Sequence, residues 1–398
     1  MNSADNLAIE KMVSVVPAWQ RVTTAKEAFG LVDRTLLHCG PPANSINNLV
    51  KPILNSAAVA CVFEGWAATL EEADEMIDAG EINFQAAQDL NVVTPMAAVV
   101  SSSMKLTEFC DMNNTDHRTW APLNGGGTGA DPVPRYGYKN QNAIDFLKYL
   151  NHEVGEAIVN VPVMGPVEWL PIIDEALIRG DDGHLRHLES HKILASIILE
   201  CLGDEFSESG VYAFIKKWPF FHLNFWMAAS KLIVSSAVGT DESGIITAFG
   251  GNGNEFGFQI AAFPDRWFTC AAGPPLGKIR DPHTVETCVG AFGDSAITEG
   301  LGLGAMAQSF CPDMQELHKG FTPDDIFTLP EKLLMVTHPG MPKSCARVGL
   351  SVRAIVENRL TPILELGIAD KNGVYGGLGA GIYRPPIEPF LEASGLLN

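Results

Sequence analysis

The spacing of apolar and polar positions divides the chain into three stretches. Up to about residue 137, short apolar runs alternate with amphipathic ones. Thr35-Leu36-Leu37-His38-Cys39 reads as a strand that breaks at Gly40-Pro41-Pro42, a junction of the kind where α/β proteins place ligand contacts. Ala57 to Phe63 (AAVACVF) is a continuous apolar run suited to a buried parallel strand, and Thr69 to Ala79 an acidic helix with a Thr69/Glu72 capping box that ends at Gly80. Glu81 to Phe84 and Asn91 to Val100, with a proline in mid-run, continue an alternation that predicts an α/β layer. From 138 to 235 the period turns helical. Ile144, Leu147, Leu150, Val154 and Ile158 recur at helical spacing, Trp169 to Arg179 is a short helix stopped by Gly180, and His184 to Leu202 is a longer one. Phe220 to Met227 opens an aromatic-rich helix destined for the core. From 236 onward, Ile245 to Phe249, the turn Gly250 to Glu255 and Phe256 to Ala262 predict a hairpin, Leu350 to Leu360 a helix, and Gly373 to Pro386 a glycine-dense loop. The expected fold class is multi-domain α+β: an α/β domain at 1–137, a mainly helical domain at 138–235, and a mixed α/β domain with glycine-rich site loops at 236–398.

Composition narrows the functional classes. At 398 residues, 46% apolar and 19% charged, the chain is long enough for several sizeable cores. A net charge of −20 argues against nucleic acid or an anionic membrane as partner. There is no uninterrupted apolar run of about 18 residues, the length that a membrane helix needs. The N-terminus lacks the basic and apolar regions of a signal peptide, and the eight scattered cysteines form no CxxC pair. A cytoplasmic protein with reduced thiols is expected.

One stretch stands apart from ordinary core. Gly290 to Gln308 (GAFGDSAITEGLGLGAMAQ) threads five glycines through Asp294, Ser295, Thr298 and Glu299. Glycine permits close approach of backbone to a ligand, and a helix beginning near Ala296 would offer free N–H groups to a carboxylate or carbonyl oxygen. Simple capping of a buried helix explains Asp294 and Ser295 equally well. The GGGTG run at 125–129 suits either a surface loop or an anion cradle. His184, His187 and His191, with Asp181, fall close to one helix face, but match no metal-site signature; solvent-facing histidines are the commoner case, and no metal or other cofactor is assigned. Cys270 lacks any neighbouring mark of a nucleophile.

LLHCGPP at 36–42, GNGNEFG, RWFTCAAGPP, GDSAITEGLGLGAMA and GLGAGIYRPP occur in an order and spacing that resemble the YlbE-like family of bacterial proteins, over about residues 5 to 390. That family includes a subunit of oxamate carbamoyltransferase. The resemblance implies a multi-domain α+β architecture with a helical middle. It also implies partner subunits and the splitting of oxalurate by phosphate into oxamate and carbamoyl phosphate. Positions matching the family's pattern include Gly40, Pro41, Asn91, Pro95, Arg118, Asn124, Asp181, His184 and Arg186. Further along, Asn224, Asn252, Arg266, Thr269, Asp294, Ser295, Thr298, Glu299, Arg353 and Arg384 match as well. The sequence departs from the pattern where a His-His pair is replaced by Gln88-Asp89, Asn-Glu-Gly by Asn124-Gly125-Gly126, two arginines by Gly251 and Gln259, and a histidine by Asp370. Phosphate sites rely on charge-assisted Arg contacts, each worth on the order of 1.5 to 3 kcal/mol, so these losses favour a neutral or smaller substrate.

The resulting expectation is an enzyme that acts on a C–N bond of a small amide, ureide or imide in the manner of a carbamoyltransferase. Asp294, Ser295, Glu299 and Thr298 are the candidate catalytic residues; Arg266, Arg384, Asn252, Asn224, Asn91, Arg118 and Asn124 are the candidates for substrate binding. On this reading Asp294→Ala abolishes turnover and spares the fold. A phosphate-independent amidohydrolase and a non-catalytic metabolite-binding subunit of a larger complex remain as alternatives. A homo-oligomer is expected, with partner subunits as the other possibility.

Overall fold

The computed structural model describes residues 3–126 and 132–397. The architecture is mixed α+β, with its strands in several small sheets. An antiparallel four-stranded sheet runs in the order Asn114–Pro122, Lys105–Asp111, Pro17–Thr24, Val167–Glu168. Thr35–His38 and Asn83–Ala86 form a separate parallel pair, joined through the helices Lys51–Phe63 and Leu70–Asp78. A second antiparallel sheet holds Phe292–Gly293, Ile246–Asn252, Glu255–Ile260 and Phe263–Ala271, and a third holds Leu276–Ile279, Gly377–Tyr383 and Leu364–Ala369.

The helix Leu223–Ser235 is the shared spine. All thirteen of its residues are buried, and Phe225 and Trp226 lie in an aromatic nest with Trp19, Phe109, Trp169 and Phe221. One hydrophobic core runs from Ala8 to Ala393 and draws on all three of the expected segments. A second core gathers beneath the helix Lys51–Phe63.

Several local expectations change. AAVACVF is the C-terminal half of the helix Lys51–Phe63, not a strand: Pro52 sits in its first turn, and an apolar run alone does not distinguish a buried helix from a buried strand. The acidic helix Leu70–Asp78 starts as expected, with Glu72 N–H donating to the Thr69 hydroxyl; the Glu72 carboxylate, however, accepts from Ala68 N–H instead of completing the box. The hairpin's strands extend to Asn252 and Glu255, which leaves only Gly253 and Asn254 in the turn. Gly377–Tyr383, expected as loop, is a strand paired on both sides, because its glycines let neighbouring backbones pack closely. The helix predicted from His184 begins at Leu188; the histidines before it lie in a turn held by Asp182, which accepts from the backbone N–H groups of His184, Leu185 and Arg186.

Candidate functional site

The glycine-rich stretch is broken into short pieces, and its polar residues serve two different centres. Phe292–Gly293 pairs with Gly251 and Asn252, then turns so that Asp294 points inward. The segment Ile297–Leu301 is only five residues long, and Asp294 N–H is already donated to Thr94 O, so the expected anion-accepting helix start is not built.

The first centre surrounds Asp294, which is fully buried. One carboxylate oxygen accepts from Gly40 N–H (2.8 Å) and Gln88 Nε2 (2.7 Å); the other accepts from Thr94 N–H (2.9 Å) and the Thr94 hydroxyl (3.3 Å). Burial pushes this carboxyl up to about 6, against the pull of those donors and of the Lys231 ammonium. Gly40 is required here: its φ is +71°, and a Cβ would collide with the Gly251 backbone. Asn252 fixes the same loop by donating Nδ2 to Pro41 O at 3.0 Å.

Two buried titratable residues were missed by sequence reasoning: Lys231, in the field of Asp294 and Asp89, and His38, two residues before Gly40 and in the field of Asp89. Lys231 stands in the apolar run of the spine helix, 2% exposed, and donates Nζ to Thr247 O at 2.9 Å. Burial pulls its ammonium down to about 8, with Asp294 and Asp89 holding it up. A lone lysine inside an otherwise apolar helix was the available signal. His38, at the end of the strand Thr35–His38, is 1% exposed. Its Nδ1–H donates to Cys39 O at 2.8 Å, a bond that leaves Nε2 as the bare, basic nitrogen; Nε2 has no hydrogen-bond partner. Burial lowers the His38 pKa, which keeps the ring neutral. Exposed Asp89 borders the centre and accepts from Gln259 Nε2 (2.9 Å) and Trp267 Nε1 (2.8 Å).

The second centre surrounds Glu299. His184 Nδ1 lies 2.8 Å from both of its oxygens, and the Thr298 hydroxyl (3.0 Å), Ala305 N–H and Glu365 N–H (both 3.1 Å) also donate to it. Burial pushes Asp182 up to about 6 against the pull of its backbone donors and His184, and burial together with the charges of Asp182 and Glu299 pushes Glu365 well above the usual carboxylate range. These bonds tie the 182–186 turn to Gly304, Ala305 and the strand Leu364–Ala369, a structural role.

The remaining candidates are dispersed. Ser295 is buried beside Asp294, and its carbonyl shares the single Thr298 hydroxyl proton with Glu299. Asn91 makes a left-handed turn at φ +56°. Arg118 pairs with Glu108 at 3.1 Å, and Asn124 joins Asn224 and Arg135. Arg266 pairs with Glu392 and Arg384 with Asp325, both at 2.6 Å, so neither arginine is bonded to the Asp294 centre. Gly125 O accepts from Arg135, while 127–131 of the GGGTG region lie outside the described residues. His191 stacks on His222 and His187 packs against Phe220; among the described residues no group of three or more His, Cys, Asp or Glu is arranged to hold a metal ion. The Cys270 thiol is pushed up by burial, away from nucleophile behaviour.

The family model described as oxamate carbamoyltransferase subunit AllG matches residues 82–295, more than half of the chain. The chain belongs to the AllG family. It is 27% identical to the oxamate carbamoyltransferase subunit AllG of Escherichia coli (strain K12), over 98% of this chain and 96% of that protein. It is 26% identical to the uncharacterized protein YahG of the same organism, over 98% of this chain and 84% of that one. The fold is also that of a conserved protein of unknown function from Enterococcus faecalis V583, with a TM-score of 0.91, 24% identity, and coverage of 99% and 98% of the two chains. The YlbE-like designation rests on the sequence resemblance alone. No helix among the described residues is long and apolar enough to cross a membrane.

The departures noted in the sequence take on meaning in this geometry. Gln88 bonds Asp294, Asp89 bonds Gln259, and the Gly251 carbonyl accepts from the Cys39 thiol at 3.1 Å. Four of the replaced positions therefore converge on the Asp294 centre. Each exchanges a basic side chain of the resemblance's pattern for a neutral or acidic one. Two carboxyls, Asp294 and Asp89, now stand against one ammonium, Lys231.

Proposed function

We propose that this chain is a carbamoyltransferase-related subunit whose Asp294 centre takes a small neutral amide or ureide, not a dianionic phosphate compound. The convergence of Gln88, Asp89, Gly251 and Gln259 on that centre is the observation that carries the reading. An anionic ligand relies on local cations, and this centre retains only Lys231. In the proposed mechanism the Lys231 ammonium faces the carbonyl oxygen and stabilises the charge that develops there. His38 Nε2, neutral and unpartnered, takes the proton of the attacking water and returns it to the leaving nitrogen. Asp294, saturated by four donors, is the fixed counter-charge of Lys231 and the clamp that gathers Gly40, Gln88 and Thr94. This role replaces that of general base, which a carboxylate with no free lone pair serves poorly.

A second reading, a subunit active only with its partners, is supported by the burial of Asp294, Lys231 and His38, all at 2% exposure or less. The testing experiment is a mass-detected turnover screen of purified protein against neutral ureides, amides and oxalurate, with and without phosphate. Turnover of neutral compounds supports the proposal. Exclusive turnover of oxalurate with phosphate overturns its substrate class, and silence of the isolated chain with activity restored by partner subunits supports the second reading.

A further inference from the structure

Arg384, a candidate for substrate binding, lines a surface cavity of about 680 Å³, within the size range of small-molecule sites. The floor is aliphatic: Val356, Leu360, Ile387 and Leu391, with Pro385 and Pro386 alongside. Two guanidinium groups flank it. Arg384 spends Nη2 on Asp325 at 2.6 Å and Nε on Thr361 O at 3.3 Å. Arg359 is exposed, and its guanidinium has no hydrogen bond or ion pair among the described residues. Its backbone is held in the left-handed region at φ +53° by bonds to Ile355 O and Val356 O, a conformation that costs a non-glycine residue energy and fixes where the side chain departs.

In a chain of net charge −20, an arginine without an ion-pair partner among the described residues, Arg359, stands beside an aliphatic basin with the Asp325-paired Arg384 across from it. A neutral apolar ligand has no use for these arginines, and an inorganic anion has no use for the floor. We propose that this cavity binds a small organic monoanion, with its acidic head between Arg359 and Arg384 and its hydrocarbon body on Leu360, Ile387 and Leu391. This site is independent of the Asp294 centre and of the function proposed for it.

The test uses the full chain and 8-anilinonaphthalene-1-sulfonate as the fluorescent probe, with 4-phenylbutyrate and 4-phenylbutanol as competitors. The butyrate displaces the probe, and the alcohol at equal concentration does not. Arg359→Ala weakens probe and butyrate at least tenfold, in line with loss of a charge-assisted contact, and Leu391→Glu removes binding by placing a like charge on the floor. Both positions are solvent-exposed, so an unchanged unfolding temperature certifies the fold of each variant. Asp325→Asn, which frees Arg384 of its competing carboxylate, tightens binding. Equal displacement by acid and alcohol, wild-type affinity in Arg359→Ala, or no saturable probe binding overturns the proposal.

Discussion

His38 and Lys231 divide the proposed chemistry through their protonation near neutrality. Burial lowers the pKa of both. For His38 this preserves the basic form below the ordinary histidine range, so the acid limb of kcat falls on the acid side of pH 6.5. For Lys231 it means that the ammonium is lost as pH rises through about 8, so the alkaline limb of kcat lies there. Lys231→Met is expected to remove that limb and to lower kcat by about 10² to 10³, the range found when an oxyanion donor is deleted. His38→Gln is expected to cost about 10² to 10⁴ as a lost general base. A pH–rate profile of the wild type that stays flat from pH 7 to 9.5 would discard Lys231 as the electrophile. Asp294 invites a different prediction from the one that its sequence context suggested. Asp294→Ala strands the buried N–H groups of Gly40 and Thr94 and one proton of Gln88, at about 1 to 3 kcal/mol each. The variant should therefore unfold at markedly lower denaturant, and not fold normally without activity. A chemical denaturation midpoint equal to wild type's would show that the clamp contributes nothing.

At the scale of elements, periodicity was informative wherever one face of a helix met the core. Gln141–Tyr149 and Leu170–Ile178 fall where the apolar spacing put them, and the hairpin needed only longer strands. It failed where a segment is buried on all sides, as in the helix Lys51–Phe63, because nine of its thirteen residues are buried and no polar face marks the period. The candidate site divided along the same line. Asp294 was legible because glycine and acid stood together in an unusual run. Lys231 and His38 were not singled out, since each is one polar residue in a buried apolar element and its partners come from elsewhere in the chain. The partners of the arginines were not legible either, because a sequence does not show that Arg266 faces Glu392 and Arg384 faces Asp325. Gly40 tests how tightly the elements are locked. At φ +71° and against the Gly251 backbone, an added methyl group must push the 38–42 loop away from the strand Ile246–Asn252. Gly40→Ala should thus lower both stability and turnover by separating His38 and Asp294, whereas Gly30→Ala, at the same φ but in open space, should lower stability only. Comparable activity loss in both variants would assign the effect to backbone strain alone.

Across the whole molecule, buried titratable groups set an acid sensitivity that the net charge of −20 does not reveal. Burial pulls His187 down to about 3, His318 and His338 to about 4, and His222 well below its ordinary value. These depressed groups stabilise the fold above the unfolded histidine pKa near 6.5, and that contribution is lost as pH falls, because only the unfolded chain takes up their protons. The raised carboxyls act in the opposite sense. Asp294 and Asp182, at about 6, and Glu365, pushed well above its usual value, bind protons more readily when folded, so their contribution grows as pH falls through that range. Between pH 6.5 and 6 the histidines act first, since the unfolded state already protonates there while Asp294 and Asp182 have yet to reach half-protonation in the fold. The four named histidines also outnumber the three acids below that, and surface carboxylates barely titrate before pH 5. The unfolding temperature should therefore fall as pH is lowered from 7.5 to 5. His318 gives the cleanest check, because both its ring nitrogens are buried without partners. His318→Phe should leave stability at pH 7.5 within about 1.5 kcal/mol and flatten the acid slope by about one proton's worth, roughly 1.4 kcal/mol per pH unit. A slope identical to wild type's would mean that His318 is already protonated in the folded protein, with Glu365, 4.0 Å from its Nε2, as its counter-ion.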